Sequence, residues 1–268
     1  MESGASPPGH LTTGWARIPV APHPNESALD RVTWLKAEFF DRDPRRVARA
    51  LLGKLLVRKM PSGILAGRIV ETEAYLGEDD AAAHAAAGHT PRNSVLFGPP
   101  GYAYVYFIYG AHYCLNVSCL PEGKAGSVLF RALEPIAGVE QMAEARGMES
   151  TKEAELGKIS SLKKISSGPG RMAEALGITR DRDNGKSLVS ARSDLRIGDD
   201  GYRVRGITVT PRIGIVKSAD HPLRYFIADN RLVSGPRPST SPLLVSKRSV
   251  RATSPETPGS AGSSEDPR

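Results

Sequence analysis

The feature that most constrains this chain is a pair of strand-length segments that turn back on themselves. Residues 55–60 and 64–72 flank Pro61-Ser62-Gly63, and residues 102–109 and 113–119 flank Gly110-Ala111-His112. Each arrangement predicts a β-hairpin, and hairpins join antiparallel strands. A further strand is expected at 127–133, with others near 188–197, 204–210 and 223–228. Helical signals fall between them. Asp43 supplies an N-cap acceptor before Pro44, Val47, Ala48, Leu51 and Leu52 form an apolar stripe, and Gly53 closes it. Residues 135–146 predict an amphipathic helix on Ile136, Val139, Met142 and Ala143. A loop carrying Lys158, Lys163 and Lys164 then leads to Ser167-Gly168-Pro169-Gly170, which opens a helix ending at Gly177. The sum is an α+β fold: a single compact domain around a curved, mostly antiparallel sheet, with flanking helices and a protruding aromatic hairpin.

The two ends differ in kind from this middle. Residues 1–34 show no sustained periodicity, and 236–268 are rich in Ser, Thr and Pro, so both are expected to be disordered tails around a domain at 35–235. No apolar run approaches the roughly 20 residues of a membrane helix, and Met1 to His10 lack a secretory pattern. The expected location is cytoplasmic, at the nucleoid, not secreted. A formal charge of +7 points to a polyanionic partner without deciding the matter. Cys114 and Cys119 form no metal-type pair of pairs, and no histidine stands in an H-x-E or HExxH pattern near them. That argues against a zinc deaminase and against a metallohydrolase, and neither metal nor cofactor is expected. A structural disulfide does not suit a reducing compartment either.

Three places concentrate chemistry. In 68–77 (RIVETEAYLG), strand periodicity puts Glu71, Glu73 and Tyr75 on one face, although carboxylates are seldom buried without partners. They either end a solvent-facing strand or deliver a carboxylate to a cleft beside an aromatic plate. In 104–110 (YVYFIYG), Tyr104 and Tyr106 share a face and Tyr109 sits at the turn. Such residues either pack a sheet or present a wedge suited to insertion between base pairs. Asn116 lies on the returning strand. Arg131, between Leu129 and Leu133, needs a counter-charge, which is either a protein carboxylate or a phosphate. His84, alone in an Ala-rich loop, reads by itself as a loop residue.

The order and spacing of these segments resemble the 3-methyladenine (alkyladenine) DNA glycosylases. The likeness extends through Ala83-His84, Thr90-Pro91-Arg92-Asn93, Asn116-Val117-Ser118, 129–135 (LFRALEP), Ser167-Gly168-Pro169, 211–215 and 222–226, covering about 39–234. It implies a monofunctional enzyme that extrudes damaged purines from duplex DNA and hydrolyses the N-glycosidic bond, starting base excision repair. Glu73 then matches the general base. Tyr75 and Tyr106 match the walls of the base pocket, with His84 as a hydrogen-bonding contact. Tyr109 matches the residue that fills the gap in the duplex, and Asn116 tests the purine's minor-groove edge. Arg131 matches a contact to the flipped nucleotide's phosphate that also helps hold the water.

The chemistry suits these roles, since C1′ cannot be reached inside a stacked duplex and extrusion costs a few kcal/mol. The expected partner is double-stranded DNA carrying damaged purines, and a monomer is the simpler assembly. A non-catalytic damage-binding protein would keep Tyr109 but tolerate loss of Glu73. A small-molecule hydrolase would explain Glu73 but not a tyrosine at a hairpin tip. Two features depart from what the resemblance implies: Ala111 and His112 are not the bulky hydrophobic pair expected of eukaryotic members, and the tails have no counterpart in compact bacterial members.

Overall fold

The computed structural model describes residues 31–148 and 151–236, so the expected tails fall almost entirely outside the described residues. Within them one nine-stranded sheet organises the chain, and its pairings are antiparallel. The strands are β1 (Thr33–Trp34), β2 (Leu55–Met60), β3 (Gly63–Tyr75), β4 (Ala103–Ile108), β5 (His112–Ser118), β6 (Ser127–Ala137), β7 (Leu195–Asp199), β8 (Ile207–Thr210) and β9 (Arg224–Ile227). Their order is β1-β7-β2-β3-β6-β5-β4, with β9 pairing both β3 and β8. Both expected hairpins form, as β2–β3 and β4–β5.

The helices are short: α1 (Ala37–Phe40), α2 (Pro44–Leu51), α3 (Val139–Ala145), α4 (Glu153–Leu156), α5 (Ile159–Ser166), α6 (Pro169–Ala175) and α7 (Arg180–Asp183). Helix α2 begins as its sequence demands. The Asp43 side chain accepts from Arg45 N–H, Pro44 needs no partner, and Val47, Ala48 and Leu51 are buried. It lies on the face of β3 opposite the carboxylates, where the Thr72 hydroxyl donates to the Ala48 carbonyl at 3.0 Å. The main core continues there through Val105, Leu115, Val117, Phe130, Ile165 and Met172. One face of the central strands is thus sealed by apolar packing, and the other is left for polar residues.

Three local expectations need correction. Strand β6 does not stop at Leu133 but runs to Ala137, and helix α3 starts only at Val139, after Gly138 in a left-handed conformation. Pro135 looks like the first residue of a helix, yet it sits opposite Gly67 where the register shifts, a place that tolerates its missing N–H. The lysine loop contains helix α5, with Ser161 and Ile165 buried four residues apart. Its serines, weak helix formers, hide that period. The strand expected at 188–197 is confined to Leu195–Asp199. Among the described residues, no helix is long and apolar enough to cross a membrane.

Candidate active site

The sheet register builds the site row by row. Glu73 lies opposite Leu129, Leu129 opposite Asn116, and Asn116 opposite Tyr104. Residues directly opposite in antiparallel strands share a face, so these four span β3, β6, β5 and β4 on one side of the sheet. Tyr75 lies two residues beyond Glu73, in the row of Ser127 and Ser118, whereas Tyr106 pairs with Cys114 in the row on the other side. Gly77 ends the β3 motif with φ +99°, and a Cβ there would stand 2.1 Å from the Ala125 carbonyl oxygen. Only glycine fits that crossing.

Arg131 owes its direction to a bulge. The pairing passes from Glu71–Ala132 to Thr72–Phe130, leaving Arg131 without a residue opposite. Its carbonyl instead accepts from Gly168 N–H at 2.9 Å, and Ala132 bridges to Ser167. Bulges re-aim side chains, and this one turns the guanidinium onto the carboxylates. Arg131 Nε lies 3.2 Å from Glu71 Oε1, Nη1 lies 3.2 Å from Glu73 Oε1, and Nη2 reaches Ser234 Oγ at 3.3 Å. Of the two counter-charges open to Arg131, the structure supplies protein carboxylates.

The two glutamates are both fully buried but differently held. Glu71 also accepts from Arg224 Nε at 2.6 Å and from Ser234 N–H at 2.6 Å. Glu73 accepts from Ile213 N–H at 2.8 Å and from the Tyr75 hydroxyl at 3.1 Å. Neither carboxylate ends a solvent-facing strand. Burial pushes the Glu73 carboxyl above its ordinary value, and Arg131, Ile213 and Tyr75 only partly offset this. Burial also favours loss of the Arg131 charge, but Glu73 and Glu71 more than reverse that and keep it cationic.

The aromatic groups gather beside this pair. Tyr104 and Tyr106 stack with centroids 5.6 Å apart, and His84 meets the Tyr106 ring edge-on at 4.4 Å. His84 Nδ1 shares a hydrogen bond of 2.8 Å with the Tyr104 hydroxyl, so Tyr104 orients it. Burial and Arg92 lower the His84 pKa, which favours the neutral ring. Burial pushes the Tyr106 hydroxyl far up, and Tyr75 and Glu73 are near enough to add to it. Asn116 is 3% exposed, and its Nδ2 is buried with no hydrogen-bond partner. An orphaned donor of this kind is costly, so it is a place to look for function.

Tyr109 occupies the hairpin tip, with its hydroxyl near Gly214. It is 81% exposed at the β4–β5 turn, with φ +54° followed by Gly110 at +66°. Ala111 N–H bonds the Ile108 carbonyl at 3.2 Å, closing a turn whose two central residues are both left-handed. Its neighbour His112 packs on Gly170, where a Cβ would meet the His112 Cβ at 2.9 Å.

Of the residues singled out from sequence, Glu73, Tyr75 and Arg131 are bonded together. Tyr106 and His84 touch, Asn116 joins them by register, and Tyr109 marks the rim. Arg224, Ser234, Ile213, Arg212 and Asp80 carried no role in that reading. The signal that could have found the two arginines is their position next to Leu223 and Ile213, in strand-like runs that bury them.

The site is thus a buried, caged carboxylate bonded to Tyr75 and lying near Tyr106, whose ring meets the His84 imidazole. The sequence profile of the methylpurine-DNA glycosylase family matches residues 38–231. A protein of Koribacter versatilis is 64% identical over 211 residues, covering 79% of this chain and 98% of its own. One from Methanocella arvoryzae is 46% identical over 190 residues, 71% of this chain and 88% of its own. A third, from Prosthecochloris aestuarii, is 44% identical over 214 residues, 79% of this chain and 94% of its own. All three carry 3-methyladenine DNA glycosylase in their names. The chain belongs to the methylpurine-DNA glycosylase family, and with it to the DNA glycosylases, repair enzymes that hydrolyse N-glycosyl bonds.

Proposed function

We propose that this chain acts as a monofunctional glycosylase on double-stranded DNA, extruding alkylated or deaminated purines and using Glu73 as the base that activates water. The observation that carries the reading is the seat of Glu73: a fully buried carboxylate held by two hydrogen-bond donors and the Arg131 ion pair, and placed beside Tyr75 and Tyr106. The flipped base lies between Tyr75 and Tyr106, and stacking on aromatic rings, worth about 1–3 kcal/mol per base, offsets the cost of extrusion. His84 and Asn116 read its edges. Tyr109 fills the vacated place in the duplex.

As the C1′–N9 bond breaks, its electron pair leaves with the purine and the sugar gains oxocarbenium character. The nearby Glu73 anion stabilises that charge and takes a proton from water as its oxygen bonds C1′. The products are free base and an abasic site. A base alkylated to a cation departs as the neutral purine, whereas hypoxanthine needs a proton on leaving. Arg131 keeps Glu73 aimed, and its remaining N–H groups are the ones to meet the nucleotide's phosphate. No amine stands among the groups bonded to Glu73, so no strand cleavage by lyase chemistry is expected. The protein is expected to act as a monomer.

A labelled duplex carrying hypoxanthine or an alkylated adenine tests this. Incubation followed by hot alkali should nick the labelled strand, with the strand intact before alkali. An undamaged strand after alkali with every lesion in such a panel would sink the reading.

A further inference from the structure

A fully buried polar assembly beside the site that the roles above leave unused is the pair Asp80–Arg212. Both side chains are sealed from solvent, at 1% and 0% exposure. Arg212 Nη1 donates to Asp80 Oδ2 at 2.5 Å and Nη2 to Asp80 Oδ1 at 2.8 Å. The same guanidinium donates to the carbonyls of Ala74 at 3.1 Å and Ser218 at 3.4 Å. Its central carbon lies 4.6 Å from the centre of the Tyr75 ring. Asp80 accepts in turn from the N–H groups of Leu76 and Ala82, each at 3.1 Å, which fixes the turn leading to His84. The next residue after Arg212 is Ile213, whose N–H bonds Glu73.

Three segments therefore meet at one guanidinium: the end of β3 with Tyr75, the loop with His84, and the loop with Ile213. Replacing a buried ion pair by apolar groups is often neutral or stabilising, so stability is a weak reason for this one. What a planar fork stacked on a ring supplies is geometry, and lysine cannot replace it in that respect. Both hydrogen-bond donors on Glu73, the Tyr75 hydroxyl and the Ile213 N–H, belong to groups that Arg212 touches or adjoins.

We propose that Asp80–Arg212 is a positioning clamp that sets the plane of Tyr75 and, through Tyr75 and Ile213, the seat of Glu73. This rests on the reading of Glu73 as the base. The charged and titratable groups facing Glu73 are Glu71 and Tyr75 on its own strand, Arg131 from β6 and Arg224 opposite it on β9. Tyr106 and Cys114 face it from the β4–β5 hairpin, and Arg212 from the loop. The clamp adds a cation to this set and a partner that neutralises it, so its two halves act on Glu73 with opposite sign.

The test is the pH profile of single-turnover excision by the full chain on a hypoxanthine duplex at saturation, for Arg212→Gln, Asp80→Asn and Arg212→Lys, with thermal unfolding of each. Arg212→Gln removes the cation and should move the acidic limb up, while Asp80→Asn unmasks it and should move the limb down, each by about half a pH unit or more. Arg212→Lys keeps the charge but loses the fork, so the limb stays while the plateau rate falls about tenfold or more. Limbs that coincide with wild type, with rates falling only as the folded fraction falls, would overturn the clamp. If Arg212→Gln does not fold, an unmoved limb in Asp80→Asn together with an unchanged plateau in Arg212→Lys overturns it equally. Glu73→Gln is assayed alongside: excision retained there removes the reading of Glu73 itself, an outcome distinct from failure of the clamp.

Discussion

Two buried ion networks in this molecule look alike and are tuned in opposite directions. One lies at the far end of β2, where Arg58 grips Asp183 at 2.7 and 2.9 Å, reaches Asp194 at 3.1 Å and donates to the Leu176 carbonyl at 3.3 Å. Lys186 bonds both aspartates, at 2.9 and 2.6 Å. Burial would raise the Asp183 carboxyl, but the hydrogen bonds from Arg58 and Lys186 more than reverse this and hold it below the usual carboxylate range. The other network joins Glu71, Glu73, Arg131 and Arg224. There burial wins at Glu73, whose carboxyl is pushed up. A carboxylate saturated with cations is an anchor. One left short of them is poised to take a proton, which is the state a general base needs.

The largest effect should come from removing the poised group. Glu73→Gln keeps size and hydrogen bonding but cannot accept a proton, so excision should fall by about 10²–10⁴-fold while lesion binding and thermal stability persist. Single-turnover excision and a binding titration on the same duplex check this. Near-normal excision would erase the distinction between the two networks.

Removing the anchor should act in the opposite sense. Arg58→Met leaves the buried Asp183 with Lys186 as its cation and the Thr179 N–H as its other donor, and breaking such a pair costs about 3–5 kcal/mol of stability. Denaturant unfolding measures that loss, and the excision rate of the remaining folded protein should be unchanged. A rate that falls with stability intact would make the Arg58 cluster part of the site.

Acid should separate the networks without any mutation. Glu73 has a raised pKa in the fold, so as pH falls through it the base is neutralised and excision is lost, while that protonation favours the folded state. Asp183 and Asp194 have depressed values. Their contribution to stability is complete above the unfolded carboxylate value of about 3.9 and is lost as pH falls further. Excision should therefore disappear at a higher pH than the cooperative unfolding transition. Coincident curves would show that activity is limited by folding alone.

The same contrast explains what could be read in the sequence. Features encoded within a few residues were legible: the Asp43-Pro44 cap of α2, the turns of both hairpins, and the two-residue spacing of Glu71, Glu73 and Tyr75. Glu73, Tyr75 and Arg131 could be singled out because their segments carry an unusual pattern and a family likeness. What binds them together was hidden, because it is non-local. Ser234 meets Glu71 across 163 positions and Arg212 meets Asp80 across 132. No periodicity reports such a pairing: an arginine beside aliphatic residues signals that a counter-charge is needed, not which carboxylate supplies it. The passage of β6 through Pro135 was hidden for the reverse reason. A local rule for helix starts was obeyed by the sequence and overruled by the pairing with Gly67.

The smallest effect belongs to Tyr109, where stability and function should part. A non-glycine residue at φ +54° is strained, and the ring gains little packing at 81% exposure. Tyr109→Gly relieves the left-handed strain and should raise stability by up to about 1 kcal/mol, a shift of a few degrees in Tm. It should also weaken binding to a duplex with an abasic site, because nothing then fills the gap beside the flipped nucleotide. Backbone strain of this kind clusters at functional sites, which is why the tip is tested through both readouts. A variant that is more stable and binds abasic DNA as tightly as wild type would show that the tip is ordinary turn, and the wedge would have to be sought elsewhere on the rim, with Phe107 at 46% exposure the next residue to test.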